Sequence, residues 1–171
     1  MDNLAGNAEM KNTLRMVKHL IPHQDIALII LKGHLLIEEL LFDQVASAMR
    51  NVSELKLSRL SFDRLVHLTK ALFGFSNDQR LWQAVEKLNM LRNELIHHLE
   101  PTKFQKLAKA FLRPSEKMMG QIAPTSESLE SRLRDTLAYL YGALSNISKI
   151  GRRNEAGKAG SSPAFPIKAT P

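Results

Sequence analysis

Apolar residues recur at intervals of three and four positions along nearly every segment of this chain before residue 150, and no stretch shows the sustained two-residue alternation of a strand. This spacing places apolar side chains on one face of a helix, because an α-helix turns once in about 3.6 residues. The last such segment has its apolar stripe at Leu129, Leu133, Leu137, Leu140, Leu144 and Ile147. The pattern predicts an all-α fold.

Prolines, glycines and capping residues divide the chain into six predicted helical segments. We expect Pro22 to end the first segment, Ser61 to cap the third and Gly74 to stop it. Asn77 or Asp78 is expected to cap the fourth. The predicted segments run over about residues 8–21, 25–50, 62–73, 78–99, 102–112 and 126–150. The stretch between the last two, 113–124, is predicted to be a loop that can include a short turn of helix.

The composition fits one domain followed by a tail. With 171 residues, of which 44% are hydrophobic, the chain can bury one core, and leucine must fill most of it because only 6% of the residues are aromatic. From Gly151 onward the sequence becomes GRRNEAGKAGSSPAFPIKATP, which is rich in small residues, proline and basic charge. We therefore predict a helical domain at residues 1–150 and a disordered basic tail at residues 151–171.

Charge and cysteine content narrow the classes of partner and site. The absence of cysteine excludes disulfides, thiolate zinc sites and a cysteine nucleophile. A net charge of +7 favours polyanionic partners, although a basic soluble surface explains it equally well. The N-terminal residues lack a signal-peptide pattern, and the apolar run Ile26 to Leu31 is too short to cross a bilayer. We expect a cytoplasmic protein without a membrane partner.

The residues that suggest chemistry lie near the end of the fourth segment. Arg92, Asn93 and His97 bring a cation, an amide and an imidazole within about 1.5 turns of one helix. By angle, Arg92 falls about 40° from Leu88, inside the apolar stripe, whereas Asn93 and His97 fall at about 140° and 180°. Asn93 and His97 are four residues apart, so the amide can contact the imidazole.

An arginine in an apolar stripe needs a carboxylate, a phosphate or water to accept its hydrogen bonds. On the second segment, Glu38 is the carboxylate that angular placement turns inward, and we expect it to pair with Arg92. The alternative interpretation is structural: a core arginine paired with an internal acid, with Asn93 and His97 merely solvated. Spacing alone leaves both interpretations open.

The segment Lys87 to His98, KLNMLRNELIHH, resembles the signature of the HEPN superfamily, an arginine followed after four to six residues by a histidine, often with asparagine directly after the arginine. Arg92, Asn93 and His97 match its tightest form, and His98 satisfies the looser spacing. The segments GHLLIEELL and LSFDRLVHLTKALFG are similar to the layout of small bacterial HEPN proteins and of the related mannitol operon repressor family.

This resemblance implies a four- to five-helix bundle, commonly dimeric, that acts as a metal-independent endoribonuclease. It implies that His97 is the general acid or base, that Arg92 holds the phosphate, and that Asn93 fixes the histidine or contacts the backbone; His98 is the alternative histidine and Glu38 a supporting residue. The implied partners are RNA, a second copy of the chain, and a cognate antitoxin or regulatory protein. A toxin, defence or RNA-processing role would fit.

Two other functions remain as alternatives. The first is a non-catalytic HEPN-like regulator that binds a partner protein, and the second is a helix-turn-helix DNA binder. The second is disfavoured because the helix after Gly74 carries an apolar stripe throughout, unlike an exposed recognition helix. No glycine-rich phosphate loop and no clustered metal ligands are present in the sequence, so no cofactor or metal is expected.

Overall fold

The structure is a computed structural model that describes residues 3–20, 25–52, 60–73, 79–120 and 128–147. These residues form helices and short connections, and the described ranges contain no strand. The helices are α1 (Asn3–Leu20), α2 (Ile26–Ala48), α3 (Phe62–Phe73), α4 (Gln79–His97), α5 (Phe104–Met119) and α6 (Leu129–Ser145). The prediction of an all-α fold is confirmed.

Local signals set several of the helix ends. The predicted bounds of α3 are those observed, and the Ser61 hydroxyl accepts the Arg64 backbone N–H at 3.4 Å. Asp25 caps α2 by accepting the Ala27 N–H at 2.8 Å, and Ser128 caps α6 by accepting the Ser131 N–H at 3.3 Å. The expected signals at Pro22, Gly74, Asn77 and Asp78, and the predicted tail at 151–171, lie outside the described residues.

The predicted loop at residues 113–124 is wrong for its first part, because α5 continues through Pro114 to Met119. A proline inside a helix removes one backbone hydrogen bond and costs about 3 kcal/mol. Packing outweighs that cost here: beyond the proline, Met118 packs against the core and Glu116 forms an ion pair with Arg132 of α6. The helix stops at Gly120, whose φ of 69° favours glycine.

Helix α2 lies at the centre of the fold and packs against α1, α3, α4 and α6. Its buried face meets the stripe of α6 closely at Gly33, where an added Cβ would lie 2.5 Å from a methyl carbon of Leu137. Helix α4 packs mainly against α5 and also contacts α2, α3 and α6. The largest fully buried side chains are Phe111, Ile29, Ile30, Ile37, Leu41, Leu88, Leu91, Leu112, Leu133, Leu137, Leu140 and Leu144.

Helices α2 to α6 pack around this core, and α1 lies against α2 and α6. The resemblance implied four or five helices, and the described residues form six. Within the described ranges, no helix has the length and apolar character needed to cross a membrane. Glu94, near the end of α4, accepts the backbone N–H of Lys103, which brings the end of α4 against the start of α5.

Candidate functional site

The motif residues are held by the packing of α4. Leu81, Val85, Leu88 and Leu91 are buried along this helix and fix its orientation against the core. The motif follows directly after the last of these residues. Because a helix advances about 100° per residue, the motif side chains leave the helix in several directions and do not share one environment.

Arg92 and Asn93 are both half-buried, and the Arg92 Nη1 donates a 3.0 Å hydrogen bond to the Asn93 Oδ1. Two other arginines of the fold, Arg15 and Arg132, pair with carboxylates. Within the ranges that the structure describes, no ion pair joins Arg92 to a carboxylate. A half-buried guanidinium whose partner is a neutral amide keeps donors available for an external anion.

The expected pairing of Glu38 with Arg92 is not observed. The Glu38 side chain is 35% exposed, and its Oε2 lies 3.6 Å from the Nδ1 of His34, one turn earlier on α2. In place of Glu38, the polar residues that α2 buries are His34 and Gln44. The contact with His34 is local, because the two residues are i,i+4 neighbours on α2.

His34 connects three helices. Its side chain is 2% exposed, its Nε2 lies 3.3 Å from the Oδ1 of Asn89 on α4, and its ring packs against Phe62 of α3 with centroids 4.1 Å apart. Burial lowers the pKa of His34 to about 4; the hydrogen bond with Asn89 opposes this shift and the charge of Arg92 adds to it. His34 is therefore neutral at pH 7 and lies within electrostatic range of Arg92.

The two adjacent histidines have different surroundings. His97 ends α4 and is exposed, and the predicted contact between Asn93 and His97 is not among those recorded for the described residues. His98 is 54% exposed, but its Nδ1 lies 3.3 Å from the backbone oxygen of Glu94 and 3.5 Å from the Glu94 Oε2. Of the two, His98 is the one with a fixed ring nitrogen.

Glu94 is the site residue that the sequence did not single out. It is 7% exposed, and its Oε1 accepts the backbone N–H of Lys103 at 3.0 Å. A side chain of α4 thus caps the start of α5. Its burial depends on α5 folding over it, which is a tertiary contact that helical periodicity cannot predict. The i,i+4 spacing of Glu94 and His98 was the available signal.

The site thus offers a cation, two amides and two solvent-accessible imidazoles at one end of α4. Such groups can hold an anion and transfer a proton. Among the residues whose structure is described, no three His, Asp or Glu side chains are grouped to hold a metal ion. No protein-family model matches the chain, and neither a curated protein nor a solved structure matches it.

Proposed function

We propose that this protein is a metal-independent endoribonuclease of HEPN type. The observation that carries the proposal is the state of Arg92, which is half-buried beside Asn93 and forms no ion pair with a carboxylate in the described part of the chain. An unneutralised guanidinium at a protein surface is suited to a phosphodiester, since its planar donor fork matches two phosphate oxygens.

In the proposed reaction, the ribose 2′-oxygen attacks the adjacent phosphorus while a motif histidine, His97 or His98, removes its proton. The bond from phosphorus to the 5′-oxygen breaks, and that oxygen takes a proton from water. The products are a 2′,3′-cyclic phosphate and a 5′-hydroxyl. Arg92 would stabilise the charge that grows on the phosphate oxygens, and Asn93 would fix the guanidinium.

The proposed enzyme works as a dimer. The side chains of Arg92 and His97 point about 140° apart around α4. One helix therefore does not direct both of them at a single phosphodiester. A second copy facing the first would bring a histidine of one chain to the arginine of the other. Met90, Ile96 and Leu99 are exposed apolar residues on and just beyond α4, which supports a protein contact on this surface.

The same exposed apolar residues favour one alternative, a non-catalytic regulator that binds a partner protein such as an antitoxin through this surface. The alternative predicts no RNA cleavage by the purified chain. It also predicts that Ile96→Asp abolishes partner binding, whereas Arg92→Ala leaves it unchanged.

The test is incubation of purified full-length protein with single-stranded RNA in EDTA. We expect cleavage by the wild type and a loss of at least about 100-fold with Arg92→Ala, since phosphate stabilisation acts in the transition state. Arg113→Ala is the matched control, because Arg113 is an exposed arginine on α5 and its removal changes the net charge equally. Intact RNA with the wild type, or equal loss with both variants, would overturn the proposal.

A further inference from the structure

The Nδ1 of His98 has two neighbours, and both can only accept hydrogen bonds. One is the backbone oxygen of Glu94 at 3.3 Å, and the other is the Oε2 of the Glu94 carboxylate at 3.5 Å. A ring nitrogen facing two acceptors must carry the proton. The neutral His98 ring is therefore the tautomer with a proton on Nδ1, and its Nε2 has a free lone pair.

The carboxylate that fixes this ring is itself fixed. Glu94 is buried, and its other oxygen accepts the Lys103 backbone N–H at 3.0 Å. The carboxylate is thus tied to the start of α5, while its own backbone belongs to α4. An imidazole held by such a group loses little conformational freedom on transferring a proton. An exposed ring such as His97, which has no hydrogen-bond partner among the described residues, loses more.

We propose that His98 is the proton-transferring imidazole of the motif and that Glu94 is its positioning residue. This inference rests on the proposed endoribonuclease function and specifies which histidine acts. The Nε2 of His98 accepts the proton of the ribose 2′-hydroxyl as the bond between the 2′-oxygen and phosphorus forms. The bond to the 5′-oxygen breaks, that oxygen takes a proton from water, and the His98 imidazolium returns its own proton to the solvent.

Helix α3 carries a histidine–carboxylate pair with the same spacing as His98 and Glu94, but its carboxylate is exposed. His67 and Asp63 are also four residues apart, with the Nε2 of His67 lying 3.7 Å from the Asp63 Oδ2, but each side chain is 68% exposed. The pair on α3 is open to solvent, whereas Glu94 is 7% exposed. Variants of His67 and Asp63 therefore control for the loss of an imidazole and of a nearby carboxylate.

The first measurement reports on the ring without requiring cleavage. Nitrogen NMR of the histidine side chains in the full-length protein should show that neutral His98 carries its proton on Nδ1. Solvent-exposed His67 should show a mixture of the two neutral tautomers. Glu94→Gln should lower the fraction of that tautomer, because the amide can keep the Lys103 N–H and turn its own N–H toward Nδ1. A wild-type His98 with the proton on Nε2 would overturn the inference.

The second measurement separates kcat from KM on RNA. We expect His98→Ala to lower kcat at least about 100-fold, which is in the range typical of losing a general acid or base. The loss should be at least about tenfold larger than the loss caused by His97→Ala. Glu94→Gln should lower kcat about 10- to 1000-fold with KM nearly unchanged, since the tautomer and not the binding surface is altered. His67→Ala and Asp63→Asn should leave both constants unchanged.

The outcomes distinguish this inference from the function on which it rests. If the wild type does not cut RNA, the proposed function falls and the role of His98 falls with it. If the wild type cuts but His98→Ala retains cleavage while His97→Ala loses it, only the assignment of His98 is overturned. His98 is exposed, so His98→Ala is expected to fold, and a thermal melt checks this.

Discussion

The Nε2 of His34 lies 3.3 Å from the Oδ1 of Asn89, and this contact joins α2 to the motif helix three residues before Arg92. The imidazole is buried, neutral at pH 7 and packed on Phe62, so it acts as a structural connector between α2, α3 and α4. Two histidines thus contact α4: buried His34 through Asn89, and exposed His98 through Glu94.

Acid should destabilise the fold through His34. Its folded pKa of about 4 lies below the ordinary value of 6.5, so between these values the unfolded chain binds a proton that the folded chain does not. The free energy of unfolding should fall as the pH drops from 6.5 to about 4, by about 3 kcal/mol from this residue, and stay flat above that window. Urea titrations across this pH range measure it.

The control for that measurement is His67→Gln, since His67 is exposed on α3 and lies beside the equally exposed Asp63. His34→Gln should flatten the pH dependence between 6.5 and 4, whereas His67→Gln should leave it as in the wild type. Equal slopes for the wild type and His34→Gln would contradict the assignment.

Gly33 should not tolerate a side chain. A Cβ there would lie 2.5 and 2.7 Å from the two methyl carbons of Leu137, which is 1% exposed and closely surrounded. Gly33→Ala should lower the free energy of unfolding by about 1–3 kcal/mol through overpacking. Gly142→Ala is the opposite case: it lies in α6 with no atom within 4 Å of the added Cβ, and alanine should stabilise the helix by about 1 kcal/mol. Destabilisation by both variants would contradict this account.

The junction of α4 and α5 should depend on the carboxylate of Glu94. Glu94→Ala leaves the Lys103 N–H without its acceptor and should cost about 1–3 kcal/mol, while Glu94→Gln, which keeps an acceptor, should cost less. Glu86→Ala is the control on the same helix; Glu86 is 49% exposed and pairs with Lys70, so its loss should cost less than about 1 kcal/mol. Chemical denaturation ranks the three variants, and equal losses for Glu94→Ala and Glu86→Ala would exclude a capping role.

Catalysis should be restored by mixing two inactive proteins. Suppose that each site takes its arginine from one copy and its histidine from the other. A mixed dimer of Arg92→Ala and the double variant His97→Ala/His98→Ala then has one intact site, with its histidine from the first chain and its arginine from the second. After the chains exchange, an equimolar mixture should recover about a quarter of the wild-type rate, since half of the dimers are mixed and each has one intact site of two. A mixture as inactive as its components would argue against a shared site.

The helices could be predicted from the sequence because their signals are local. The bounds of α3 followed from the Ser61 cap and the apolar period, and the stripe of α6 from Leu133 to Leu144 is buried as expected. The extension of α5 could not be predicted, because Pro114 is a strong local stop signal and only packing against other helices overrides it.

The site was predicted less completely, for the same physical reason. The half-burial of Arg92 followed from its angle on α4. Its hydrogen bond with Asn93 was not predicted, since the Asn93 amide was expected to contact His97. The burial of Glu94 depends on how α5 meets α4, which no single-helix pattern contains. The contact of Glu38 with His34 is an i,i+4 pair within α2, a spacing that the sequence did contain. His34, assigned no role from the sequence, proved to be one of two buried polar residues of α2, the other being Gln44.

The central claim is that this protein cuts RNA by making the RNA's own 2′-hydroxyl attack the neighbouring phosphorus. It is tested most directly in EDTA with substrates of the same sequence that differ only at the 2′ position. The full-length protein should cut a single-stranded RNA, leave its 2′-O-methyl and DNA counterparts intact, and produce a 2′,3′-cyclic phosphate with a 5′-hydroxyl, as detected by mass spectrometry. Each outcome follows from attack by the 2′-oxygen. Intact RNA, cleavage of the 2′-O-methyl strand, or a 5′-phosphate product would contradict the proposed function.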